Sequence, residues 1–239
     1  MFVFSISTMS RPQETATFHP QALQQLKKLV EQGEGLTLEF KRKAAHPEKI
    51  VREMIAFANT RGGILLVGVS DDRTIAGLKF PEGESHVIHD ALKKCKPKLE
   101  VEERFIPVST TSYVLYYHIP ESKRKPHYVL VDERKESYVR VADQSIKASK
   151  EVLEIARRSN NKKGVHFYFG EHERTLMQYL DVHSTITISK FSEITKLQRF
   201  YASKKLVLLV LGGVLIITPH ERGDLYSLAY KQPAQKVKY

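Results

Sequence analysis

Among the acidic side chains of this 239-residue chain, Glu39 lies in an alternating run, Glu34 in the loop just before it, and Asp71 at the end of the apolar run 64–69. Carboxylate oxygens are preferred by hard divalent cations such as Mg²⁺ or Mn²⁺. An ion held that way polarises a phosphodiester and activates a water. Spacing alone favours a plainer reading: Glu34 is a solvated acid in a Gly-Glu-Gly turn, and Asp71, followed by Asp72, is a turn former. Other chemistry has less support. Gly63 to Gly68 has the glycine spacing of a Walker loop, but Val69 stands where lysine is required, so ATPase activity is not supported. His86 and His89 share a helix face without a third ligand and read as ordinary helix residues. Cys95 is the only cysteine, so an intramolecular disulfide and a thiolate zinc site are excluded, which fits a reducing cytoplasm. No Gly-x-Ser-x-Gly elbow is present.

Lys plus Arg total 38 against 27 acidic residues, a net charge of +11. That surplus points to a polyanionic partner, either nucleic acid or an anionic membrane surface. The cations cluster as Lys41-Arg42-Lys43, Lys93-Lys94-Lys96-Lys98, Lys123-Arg124-Lys125 and Arg157-Arg158-Lys162-Lys163. One such cluster is usually a solvated face; together they exceed what solubility requires and suit phosphate contacts. The apolar run 206–218 is about 13 residues long, short of the roughly 18 to 20 that a membrane span needs. The opening MFVFSISTMS lacks the basic start and the length of a signal peptide, with Met1 and Met9 both candidate starts. The expectation is a soluble, cytoplasmic protein without a membrane segment.

The elements that must position these groups begin with a helix over 20–32, striped by Leu23, Leu26, Leu29 and Val30 and capped by Gly33. Leu36, Leu38 and Phe40 alternate with Thr37, Glu39 and Lys41, predicting a half-buried strand with Glu39 on its polar face. Pro47 opens a helix whose apolar face carries Ile50, Val51, Met54, Phe57 and Ala58; Asn59 and Gly62-Gly63 stop it. The run 64–69 has no polar alternation and reads as a strand covered on both faces. A helix over 85–95, two antiparallel strands over 96–110 and 112–122, a basic loop over 122–127, a hairpin over 128–142 turning near Asp132 to Lys135, and a helix over 150–158 follow. Beyond them come a helix over 171–183, a β segment over 185–188, a short helix capped by Ser189, a helix over 199–211, and a hairpin of 215–218 with 225–228. Helix, strand, helix, helix, hairpin is the order of a winged helix-turn-helix.

The strings GEGLTLEFKR, AFANTRGG, ILLVGVSDD with Gly77, and YVRVADQSIKAS from Tyr138 resemble, in that order, the Schlafen AlbA-like domain, over roughly residues 30–150. The resemblance implies an α/β (α+β) fold: a nucleic-acid-binding lobe with a mixed sheet, followed in bacterial regulators by a small winged-helix domain. On that basis the chain divides into a tail 1–19, a lobe 20–158, a basic linker 159–164, a winged helix-turn-helix 165–232 and a tail 233–239. Glu34, Glu39 and Asp71 match the acidic triad of nuclease-active members, which implies an Mg²⁺- or Mn²⁺-dependent endoribonuclease on structured RNA such as tRNA. Many bacterial relatives look like binders instead. Arg140 matches the arginine of the family's Tyr-x-Arg string, and either contacts phosphate or pairs with a carboxylate. Eukaryotic Schlafen cores resemble two fused lobes, so a single-lobed chain implies a homodimer.

The leading reading is a DNA-binding transcriptional regulator, with the metal-dependent endoribonuclease as alternative and a protein-binding adaptor as a third. Nucleic-acid contacts fall to Lys41, Arg42, Lys43, Lys123, Arg124, Lys125 and Arg140 in the lobe. In a helix-turn-helix the second helix presents its N-terminal residues to base edges. Here these are Arg199, Tyr201, Ser203, Lys204 and Lys205, with Phe200, Ala202 and Leu206 facing inward and a wing turn at 220–222. After Lys205 this helix is apolar almost all round, a pattern of buried helices.

Overall fold

Strand β2 (Gly63–Val67) carries apolar side chains on both faces because both faces of its sheet are covered. Leu65 and Val67 enter one core; Leu66 enters the other. The computed structural model describes residues 20–159 and 165–231. The expected tails and most of the basic linker, Lys162 and Lys163 included, lie outside them.

The sheet is mixed, in the order β1-β2-β5-β4. Strand β1 (Leu38–Lys41) runs parallel to β2, with helix α2 (Pro47–Asn59) as the crossover. Strand β5 (Tyr113–Ile119) is antiparallel to β2, and β4 (Glu102–Pro107) is antiparallel to β5. Helix α1 (Pro20–Glu31) covers one face through Leu26 and Val30 against Leu38, Phe40, Leu66, Val69 and Val114. Helices α2 and α3 (Pro81–Leu92) lie over the other. Phe40 and Phe57 are fully buried, each stabilising the fold by about 1.5–3 kcal/mol through the area it removes from water. Gly63 permits this packing, since a Cβ there would sit 2.4 Å from the Phe57 ring.

Helix α3 starts four residues before the expected 85, with Pro81 in its first turn. Short strands β3 (Cys95–Lys96), β6 (Tyr128–Val131) and β7 (Arg134–Glu136) form a second sheet. The expected single hairpin over 128–142 is two. Strands β6 and β7 turn through Asp132 and Glu133, both at positive φ, while β8 (Tyr138–Val141) pairs with β9 (Gln144–Lys147) through Ala142 at φ 53°. This second hairpin packs on α2. Asn59 fixes α2's end to both: its amide nitrogen lies 3.0 Å from the carbonyl oxygens of His127 and Tyr138, and its Oδ1 accepts from His127 N at 2.7 Å.

Helix α4 (Lys150–Ser159) packs on helix α7 (Arg199–Leu211). A separate core gathers Leu176 and Leu180 of α5 (Glu171–Val182), Phe191 of α6 (Ile188–Thr195), Ala202, Leu206 and Leu209 of α7, and Tyr226 and Leu228 of the β10 (Leu215–Thr218)–β11 (Leu225–Leu228) hairpin. The expected β segment near 185–188 reduces to one bridge, Ile186 to Tyr226. Thr187, rather than Ser189, caps α6, its hydroxyl accepting from Lys190 N at 3.2 Å.

Candidate functional site

Glu39 does not sit on a wet face. Only 8% of its side chain is exposed, because β8 lays Arg140 against it. The Arg140 side chain is fully buried; its Nη1 donates to Glu39 Oε2 at 2.9 Å and to Glu53 Oε2 of α2 at 2.7 Å, and its Nη2 donates to the Gly35 carbonyl. The guanidinium lies 4.8 Å over the Phe57 ring. Ser145 of β9 also donates to Glu53, and Lys41 pairs with Glu39 Oε1. Arg140 is thus withdrawn from any phosphate, which corrects one of its two expected roles. Lys41 is likewise committed to Glu39 and the Phe40 carbonyl. Glu53 and Ser145 were not singled out from sequence. The only signal for Glu53 is its place one turn before Phe57, on the edge of α2's apolar face.

Glu34 accepts from Phe40 N at 2.8 Å. Burial pushes its carboxyl above the usual range, the Phe40 N–H opposes this, and the charges of Glu39 and Asp71 raise it further. Glu39 and Asp71 are therefore each within electrostatic reach of Glu34. Asp71 is exposed, and the turn is made by Asp72, whose Oδ1 accepts from Thr74 N at 2.9 Å; that bond holds its carboxyl below the usual range. The set does not fit a divalent cation. Among the described residues no three His, Cys, Asp or Glu side chains are grouped to hold one, and Glu39 already faces two cations.

The basic loop splits in two. Lys125 is a structural residue: its Nζ donates to Thr60 O at 2.8 Å and to Glu121 at 2.6 Å, leaving 13% of the side chain exposed. Lys123 and Arg124 are exposed and line a cleft of about 440 Å³ with Lys98. Arg42 and Lys43 are exposed beyond β1.

The first turns of α7 present Arg199, Phe200, Tyr201 and Lys204 to solvent, with Phe200 55% and Tyr201 54% exposed. Phe200 was expected inside; instead Lys204 Nζ lies 4.4 Å over its ring. Arg199 Nη1 donates to Ser189 Oγ at 2.7 Å, fixing α7 to α6. Two other candidates are occupied. Lys205 pairs with Glu173 of α5, and Ser203 donates to Glu151 of α4 at 2.6 Å. The turn from His220 to Arg222 is exposed beside β10 and β11.

Residues 34–149 match the family model described as Schlafen, AlbA_2. No curated protein matches the chain. Among solved structures, the crystal structure of the DIP2311 protein from Corynebacterium diphtheriae is similar over 87% of this chain and 38% of that one, at 14% identity and a TM-score of 0.43. The chain thus spans less than two thirds of that protein's length.

Proposed function

We propose that this chain, which carries a Schlafen AlbA_2 domain over residues 34–149, binds nucleic acid and acts as a DNA-binding transcriptional regulator. The matched domain belongs to a nucleic-acid-binding family. The observation that carries the finer reading is the exposed face of α7. Two cations and two aromatic rings stand on one rigid helix whose opposite side is locked into a core by Ala202, Leu206 and Leu209. We read α5, α6, α7 and the β10–β11 hairpin as a winged helix-turn-helix, in which α7 enters the major groove and Arg199 contacts guanine. Arg42, Lys43, Lys123 and Arg124 contribute phosphate contacts, as does the wing turn. The proposed organisation is a lobe over 20–158, a linker over 159–164 and a winged helix over 165–232, assembled as a cytoplasmic homodimer. Fluorescence anisotropy with a labelled duplex tests this: affinity falls linearly on a log–log scale with salt, and the absence of any duplex binding at low salt overturns it.

The alternative, a metal-dependent endoribonuclease on structured RNA such as tRNA, draws support from the carboxylates that raise Glu34's proton affinity. The two cations on Glu39 weigh against it.

A further inference from the structure

The loop that carries Lys123 and Arg124 also brings Ser122 onto His127. Ser122 Oγ lies 2.6 Å from His127 Nε2, and His127 Nδ1 lies 2.9 Å from the Pro97 carbonyl oxygen. A carbonyl can only accept, so Nδ1 carries the hydrogen. His127 is 2% exposed, and burial depresses its pKa, so the ring is neutral near pH 7. A neutral ring protonated at Nδ1 has a bare lone pair at Nε2, and the Ser122 hydroxyl must donate to it. The serine oxygen is set from its other side by the Arg124 backbone N–H at 3.0 Å. Asn59 Oδ1 anchors the histidine backbone, and Ser122 N donates to the Ala58 carbonyl at 2.9 Å. Nucleophile, base and orienting group are thus in hydrogen-bond sequence, the arrangement that activates a serine. It lies on a loop without a nucleophile elbow, which is why no motif revealed it.

Both residues line the cleft of about 440 Å³ whose walls carry Lys98, Lys123 and Arg124. Glu100 and Glu121 are its acidic lining residues, and Glu121 is paired with Lys125.

We propose that Ser122 and His127 form a nucleophilic dyad that hydrolyses carboxylic esters bearing a negative charge, with the lysines and Arg124 of the cleft receiving that charge. Ser122 Oγ adds to the ester carbonyl carbon as its proton passes to His127 Nε2. The carbon–oxygen bond to the alcohol then breaks, and the alcohol leaves with that proton. Water attacks the resulting acyl-serine, giving its proton to Nε2; the free acid departs and Ser122 regains its hydrogen. The cationic wall stabilises the oxyanion formed in each addition.

The test treats the 239-residue chain with a fluorophosphonate, whose fluoride leaves as Ser122 Oγ bonds to phosphorus, and locates the adduct by mass spectrometry. The expected result is an adduct on Ser122, absent in Ser122→Ala and formed at least about tenfold more slowly in His127→Gln. Turnover of mono-4-nitrophenyl glutarate should exceed that of 4-nitrophenyl acetate, and Ser122→Ala, which removes one hydroxyl, should abolish both. Should His127→Gln fail to fold, the Ser122→Ala comparison decides. A wild-type Ser122 that takes no adduct, an equal labelling rate in a folded His127→Gln, or hydrolysis that survives Ser122→Ala would reduce the dyad to a staple of the loop and overturn the proposal. Equal turnover of the two esters would overturn the substrate class.

Discussion

Arg140, its side chain fully buried, reaches Glu39 across 101 residues of sequence at 2.9 Å. It closes hairpin β8–β9 onto β1 and α2, joining the two ends of the lobe through one guanidinium. Removing one partner of such a cluster leaves buried charge uncompensated, at a cost of about 3–5 kcal/mol. Arg140→Leu should therefore lower the melting temperature by about 10 °C, at about 2–4 °C per kcal/mol for a chain of this size. Calorimetry showing an unchanged transition would disprove the role given to this pair.

The same pair governs the acidic centre. With Glu39 held by Arg140 and Lys41, wild-type protein incubated with tRNA or single-stranded DNA and Mn²⁺ should leave the nucleic acid intact on a denaturing gel. Divalent-ion-dependent cleavage lost in both Glu39→Ala and Asp71→Ala would establish the nuclease instead.

Much of the fold was legible where turn residues punctuate apolar runs. Helix α7 and the β10–β11 hairpin fall at the expected residues because Gly212-Gly213, Pro219 and Gly223 break the chain around them. The β8–β9 hairpin was missed because its turn uses Ala142 at φ 53° and Asp143, with no glycine to mark it. Glu39's environment was misjudged for a different reason. Alternation says which side a residue faces, but the countercharge that fills that side arrives from a strand 101 residues later. At α7, residue type marks the cations but not their partners. Lys205 and Ser203 look as free as Lys204 in the sequence, yet are occupied by Glu173 and Glu151.

His127 gives the fold a pH dependence with a definite sign. Burial lowers its folded-state pKa below the ordinary 6.5, so the unfolded chain takes up a proton that the folded chain resists. Its contribution is fully present above about pH 6.5 and is lost as pH falls through the lower folded value. Denaturant midpoints should decline from pH 7 to pH 5, and the decline should be shallower in His127→Gln. An equal decline in that variant would contradict the assignment.

Arg124 and Lys125 are adjacent but should behave differently. Arg124→Ala should weaken duplex binding and reduce the slope of log affinity against log salt by about 1. Lys125→Ala should bind almost as wild type and lose about 1 kcal/mol of stability, since it removes the bonds to Thr60 and Glu121. Salt titrations of both variants check this, and a larger slope change for Lys125→Ala would reverse it.

In the proposed function, α7 reads DNA sequence. The most direct test is selection of bound duplexes from a random pool, with wild type and Arg199→Ala side by side. The wild type should enrich one motif, and the variant should enrich the same motif with one base position blurred, a loss of about 1–3 kcal/mol of discrimination. Equal, salt-sensitive binding to all duplexes by both proteins would contradict the claim and leave only a non-specific basic surface.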